Sequence, residues 1–133
     1  MSGPADLAAR AAILAALRGD AALGALVNLV SDGEPVKASP PWLRVDDAVA
    51  LGWGARGVQG VTLRQPIQLM LRGDQRDAVT AILDRIDMVL RAMPDEAGDW
   101  KITSLAFDRS QIARSRNEWR ASVTYSIRLT RLV

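Results

Sequence analysis

The last stretch of the chain, EWRASVTYSIRLTRLV, alternates without interruption. Trp119, Ala121, Val123, Tyr125, Ile127 and Leu129 fall on one parity; Arg120, Ser122, Thr124, Ser126, Arg128 and Thr130 fall on the other. Successive strand side chains point to opposite faces, so this pattern predicts a strand over 118–131 with one buried face and one wet face. VTLRQPIQLMLR repeats the signal at 61–72. Val61, Leu63, Ile67, Leu69 and Leu71 share one face, opposed by Thr62, Arg64, Pro66, Gln68, Met70 and Arg72. Gln65 interrupts the apolar face and Pro66 removes a ladder donor, which predicts a bulge or an edge position there.

Between these strands the period changes to that of a helix. In QRDAVTAILDRIDMVLRAM, Val79, Ile82, Leu83, Ile86, Val89 or Leu90, and Met93 form one apolar stripe, so a main helix is expected over about 74–93. Gly73 turns the chain, Asp74 is placed to cap the helix, and Pro94 ends it. Near the start, PADLAARAAILAALRG predicts a helix over about 4–19. Pro4 suits its first turn, and Leu7, Ala11, Leu14 and Leu17, widened by Ile13, form its stripe. Gly19 reads as a left-handed stop, and Asp20 as the cap of a short turn, AALGALV.

Weaker signals fill the remainder. WLRV predicts a short strand at 42–46, entered through Pro40-Pro41, and WKITSLAF a strand at 100–107. The segment 46–60, with glycines at 52, 54, 57 and 60, reads as a long loop or hairpin tip, and 108–118 as a second loop. The sum is one α+β domain over 1–133, with a mainly antiparallel sheet of four to five strands and two main helices packed on one face. LRGD occurs twice, at Leu17-Arg18-Gly19-Asp20 and Leu71-Arg72-Gly73-Asp74, but the flanks differ: one copy joins helix to helix, the other strand to helix. Each is a glycine stop followed by an aspartate cap, and neither an adhesion site nor a repeat.

Composition narrows the chemistry. The 133 residues are 49% hydrophobic and 24% charged, ordinary for a globular domain, with no apolar run of the roughly 20 residues that span a bilayer. The N-terminus lacks the basic start of a signal peptide, which leaves the cytoplasm as the expected compartment. The sequence holds no histidine and no cysteine, so the usual zinc ligands, thiol nucleophiles and commonest general base are missing. No catalytic residue, metal site or cofactor is expected. A net charge of +2 is small for a protein that binds DNA by counterion release. LMLRGDQRDAV meets neither glycine-rich phosphate-binding pattern, and Asp74 opposes an anion there. Asp46-Asp47 points to two faces, so a solvated turn outweighs a shared metal site.

What remains is surface. Arg109, Arg114, Arg116 and Arg120 cluster around Ser110, Ser115 and Asn117, and read either as a solvated hairpin or as contacts to nucleic-acid phosphate or an acidic partner surface, with a protein partner favoured over DNA. Trp42 and Trp119 are expected in the core. Trp53, beside Arg56 in the glycine-rich segment, reads either as an interface anchor or, at least as commonly, as a loop tryptophan folded back onto its own core.

The order of these pieces resembles the tail-terminator (tail-completion) proteins of long-tailed phages and phage-like particles, in particular versions encoded with alphaproteobacterial gene transfer agents. The resemblance covers nearly the whole chain. It rests on RGDAALGALV, PPWLRVDD, the Trp53 segment leading into VTLRQPIQLMLR, the helix starting RGDQRDAVTAILDRI, and EWRASVTYSIRL. It implies a non-enzymatic particle protein without cofactors. Six subunits would form a ring at the head-proximal end of the tail tube, stopping its polymerisation and meeting the head-completion (stopper) protein, with DNA passing through the lumen and no membrane partner. Assembly would take place in the bacterial cytoplasm, and the finished location would be the particle. Interface residues are expected at Trp53, Arg56, Arg109, Arg114, Arg116 and Arg120. A small nucleic-acid-binding α+β module is the alternative.

Overall fold

In the computed structural model, which describes residues 3–34 and 36–132, the two alternating segments pair with each other. Strand β4 (Val58–Arg72) lies antiparallel to β7 (Glu118–Leu132) in one continuous register, from Val58↔Leu132 to Arg72↔Glu118. Their apolar parities coincide: Leu63, Ile67, Leu69 and Leu71 face the same side as Ala121, Val123, Tyr125, Ile127 and Leu129, and all are buried. That shared face is the core side of the sheet.

The other strands attach to this pair. β1 (Leu29–Asp32) pairs parallel with β2 (Trp42–Val45), and β2 pairs antiparallel with the second half of β4. β3 (Val49–Ala55) pairs with the first half of β4. On the far side, β6 (Trp100–Ser115) runs along β7, and the two-residue β5 (Glu96–Ala97) touches only the start of β6. The sheet is therefore seven-stranded, in the order β1-β2-β4-β7-β6-β5 with β3 beside β4. It is mixed through its β1/β2 pair, rather than a sheet of four or five mainly antiparallel strands.

Pro66 produces no bulge. β4 stays in register with β7 through Pro66↔Thr124, because on the other side Pro66 falls in the gap between β3, which ends opposite Arg64, and β2, which begins opposite Ile67. No partner there asks for its missing N–H. The buried amide of Gln65 fills the same gap, donating to the carbonyls of Asp46 and Pro66. The register shifts lie instead in β6, between Ile102 and Ser104 and between Phe107 and Arg109.

Three helices cover the core face. α3 (Arg76–Arg91) buries Val79, Ile82, Ile86, Val89 and Leu90. Each large apolar side chain contributes roughly 1.5–3 kcal/mol by leaving water. Its N-cap is Gln75, with no side-chain cap bond, so the capping role expected of Asp74 is not taken up. α1 (Ala5–Gly19) buries Ala5, Ala8, Ala9, Ile13, Leu14 and Leu17, while Leu7 and Ala11 face outward. Its buried stripe is shifted toward the small residues, which let it lie close to its neighbours. Gly19 closes α1 without a positive φ, so it is not a left-handed stop.

Asp20 does cap the one-turn α2 (Ala21–Gly24), accepting from the Leu23 amide, and it also receives both Nε and Nη2 of Arg85 from α3. One carboxylate thus ties α1, α2 and α3 together. A second tie joins sheet to helix: Tyr125 Oη donates to Asp87, which also holds Arg91. Burial, together with that bond, raises the Tyr125 pKa. At Asp87, burial opposes the charge, but the bonds from Arg91 and Tyr125 outweigh it and lower the pKa.

The bonds from Arg85 and Leu23 hold the Asp20 pKa down at about 2. A depressed carboxylate pKa stabilises the fold above its unfolded value of about 3.9, and that stabilisation is lost as pH falls toward the folded value. Asp20→Asn keeps an oxygen for the cap but removes the ion pair. The Tm gap between wild type and Asp20→Asn is therefore expected to be full at pH 6 and to close between about pH 4 and pH 2; a gap independent of pH would show that the charge of Asp20 does not stabilise the fold.

Candidate assembly interface

Two hairpins extend past the helix-covered core, and they hold all six residues expected at an interface. Trp53 and Arg56 lie on the β3–β4 hairpin; Arg109, Arg114, Arg116 and Arg120 lie on the β6–β7 hairpin. The structure does not bring the two sets together. The Arg56-Gly57 turn and the Arg116-Asn117 turn sit at opposite ends of β4, roughly 45 Å apart by strand rise.

Of the two readings of 46–60, loop or hairpin tip, the structure shows a hairpin, with β3 and the start of β4 joined at Arg56-Gly57. Val49–Ala55 is a strand along its whole length, and every residue of it is exposed. Val49, Leu51 and Trp53 share the face of Arg64, Thr62 and Gly60, the side that no helix covers. Val49 and Leu51 are each 70% exposed. Trp53 lies back across the sheet: its ring rests on Gly60, and the Arg128 guanidinium stacks over it at 4.4 Å. A Cβ at residue 60 would sit inside the Trp53 ring, which is why glycine is needed in the middle of this strand. Arg56 is exposed and makes no ion pair among the described residues.

Likewise, 108–118 is mostly strand. β6 continues to Ser115, leaving Arg116-Asn117 as the turn. From Ala106 to Ser115 every β6 residue is exposed. Arg114 stacks on Trp119 at 5.5 Å, Arg109 pairs with Asp108 at 3.5 Å and Arg120 with Glu118 at 2.9 Å. Arg116 carries a positive φ of 54°, a conformation that costs a non-glycine residue about 1–2 kcal/mol. Phe107 meets Tyr125 edge-on and stays half exposed, and Ile112 is also exposed. Trp42 and Trp119, expected in the core, are only half-buried, whereas Trp100 is buried, its Nε1 donating to the Gly3 carbonyl.

A third feature was not predicted from the sequence. At the step where β2 and β1 flank β3, a recess is lined by Asp32, Glu34, Asp46 and Asp47 together with Arg10 and Arg44. Arg10 bridges Asp32 and Asp47, and Arg44 bridges Glu34 and Asp46. Four carboxylates facing two guanidinium groups leave two negative charges in surplus. The Asp47 side chain is 98% exposed. Asp46 is thus part of a salt-bridge network joining α1, β1 and β2, which Asp47, solvated as expected, joins through Arg10.

No group of three or more potential metal-ligating side chains gathers among the described residues, and no described helix is long and apolar enough to cross a membrane. The architecture is a helix-backed sheet whose two long hairpins carry charge and apolar surface outside the core. Residues 11–130 match the family described as tail completion protein gp17, and the chain belongs to that family. Its members are structural tail proteins of virions, not enzymes. Among solved structures, a chain of the virion of a native gene transfer agent particle has a similar fold. The TM-score is 0.75 and the identity 16%, over 91% of this chain and 93% of that one. No curated protein sequence matches.

Two substitutions separate local structure from surface role. Gly60→Ala is expected to displace the Trp53 ring, destabilise the domain by about 1–3 kcal/mol and raise quencher access to tryptophan fluorescence; unchanged quenching would show that the ring is not seated there. Arg116→Gly is expected to raise stability by roughly 0.5–1 kcal/mol in denaturant titration, because glycine adopts positive φ freely. A loss of stability would assign the Arg116 side chain a folding role.

Proposed function

We propose that this protein is a tail terminator: six copies form a ring that caps the head-proximal end of the tail tube, stops tube polymerisation and joins the tail to the head-completion (stopper) protein. DNA passes through the centre of the ring without sequence-specific binding. The ring assembles in the bacterial cytoplasm and remains in the finished phage or phage-like particle.

The observation that carries this reading is the pair of unlike exposed hairpins on one small domain. A terminator must bind the end of a growing polymer and be unable to extend it, so it needs different surfaces for different neighbours. The β3–β4 hairpin offers apolar side chains and, at its turn, Arg56, which has no ion pair among the described residues, and the β6–β7 hairpin offers arginines on a strand exposed on both faces. They lie on opposite sides of the sheet, and head-to-tail contacts between unlike surfaces build rings when the rotation closes. Membership of the tail completion family supports the place in the tail, and the likeness to a gene transfer agent chain supports the fold on which the proposal rests.

Particles from a source strain lacking this gene, viewed by electron microscopy, are expected to show filled heads beside unattached or overlong tails. Normal tails joined to heads would contradict a terminating and joining role.

A further inference from the structure

Within the proposed ring, the joint between neighbouring copies can be read from the sheet itself. We propose that the edge of β6 from Arg109 to Ser115 pairs antiparallel with the edge of β3 in the next copy, and that the arginine-bearing turn of that hairpin enters the acidic recess beside β3. This rests on the ring reading and specifies its interface.

Backbone hydrogen bonding comes first. β5 covers β6 only at Trp100 and Lys101, and β3 has a partner only in β4. Among the described residues, no backbone or side-chain hydrogen bond reaches the outer groups of β3 or of Arg109–Ser115. Long open edges of this kind invite pairing with another chain. The third free strand, β1, is only four residues long, and its Val30 carbonyl is already occupied by Arg18. The register shifts of β6 lie before Arg109, so the remainder is a regular strand as long as β3.

Strand direction follows from the topology. β3 is antiparallel to β4, β4 to β7, and β7 to β6, so β3 and β6 run in opposite directions. When the sheet continues from copy to copy, β6 of one copy therefore meets β3 of the next in an antiparallel pair; Ile112 lies level with Leu69 and Gly52 with Val61, so this pairing inclines the strands to the ring axis.

The shape of the sheet limits the register. Beside β3 the edge is a notch, because β1 stands one strand further out alongside β2. A hairpin entering the notch stops at that step. The arrangement that fills it places Ile112 opposite Gly52 and Ala113 opposite Leu51. Ile112 then meets glycine and Leu51 meets alanine, and Ile112 sits beside the recess lined by Pro4, Ala5, Ala50 and Gly52. Leu51, exposed in the free chain, lies beside Ala113 on the helix-free face.

Charge selects the same arrangement at both ends. Arg116 arrives at Asp47 and the recess with its surplus of two negative charges, while Asp108 arrives at Arg56, which has no ion pair among the described residues in the free chain. Complementary charge of this kind fixes register and suppresses wrong pairings.

The sequence contains no cysteine, so a Leu51→Cys/Ala113→Cys double variant reports the joint directly. Within one copy the two positions are three strands apart and offset along the sheet, too far to bridge. Oxidised particles carrying the double variant are expected to give a ladder of covalent oligomers on non-reducing gels, absent from either single variant. Joined tails without a ladder would overturn the edge pairing while leaving the terminator role intact. If the double variant does not enter particles, charge exchange decides. Arg116→Asp and Asp47→Arg are each expected to lower the yield of joined particles at least tenfold, and their combination to restore it. Two defective single variants with no recovery when combined would overturn the contact.

Discussion

The unbroken ladder between β4 and β7 is the interaction on which the rest of the molecule depends. It aligns two apolar parities into one buried face, and that face gives α1 and α3 something to cover. Its length matters as much as its register. β4 and β7 are longer than the helices that pack on them need, so their ends extend past the core and carry β3 on one side and the outer part of β6 on the other. A shift of one residue between β4 and β7 would turn Leu63, Ile67 and Leu69 toward water, which is why no substitution pattern short of disrupting the core can slide the hairpins relative to each other.

From that spine follows a division of labour between stability and assembly. The helix-covered face is tied down by Asp20 to Arg85 and by Tyr125 to Asp87, both across elements distant in sequence. The hairpins contribute little apolar burial, since every residue of β3 and of β6 from Ala106 to Ser115 is exposed. Surface left open in this way is a hazard for a monomer and an asset for a subunit. Bulges and charged side chains interrupt β6 near its start, and the recess beside β3 carries surplus negative charge, which favours a positively charged neighbour. A structural tail protein has to stay soluble until its neighbours arrive, and a joint that depends on both backbone pairing and matched charge meets that requirement.

How much of this was legible in the sequence depends on burial. β4, β7 and α3 were read correctly because each has one buried face, which imposes period two or 3.6 on its residues. The family was legible in the order of those pieces. At β3 and the distal half of β6 the readings went no further than loop or hairpin, because a strand exposed on both faces has no such constraint: GWGAR and DRSQIARS show no alternation. The α1 stripe was misplaced because alanine contributes too little contrast to mark a buried face, although Ala5, Ala8 and Ala9 form much of it. Four-residue β1 offered no periodicity to read, and the recess it forms with β2 joins side chains far apart along the chain. Of the six expected interface residues, all fall on the two open hairpins. Asp47 and its neighbours, the acceptors proposed for Arg116, were passed over because their recess is assembled from side chains far apart along the chain.

Hydrogen exchange measured by mass spectrometry on the free protein and on assembled particles tests the central claim most directly, since backbone amides report edge pairing itself. The amides of Val49–Ala55 and Arg109–Ser115 are predicted to exchange rapidly in the free protein and to become strongly protected together in the particle. Rapid exchange of both edges in intact particles, with protection gained on the helices or the uncovered sheet face instead, would contradict it.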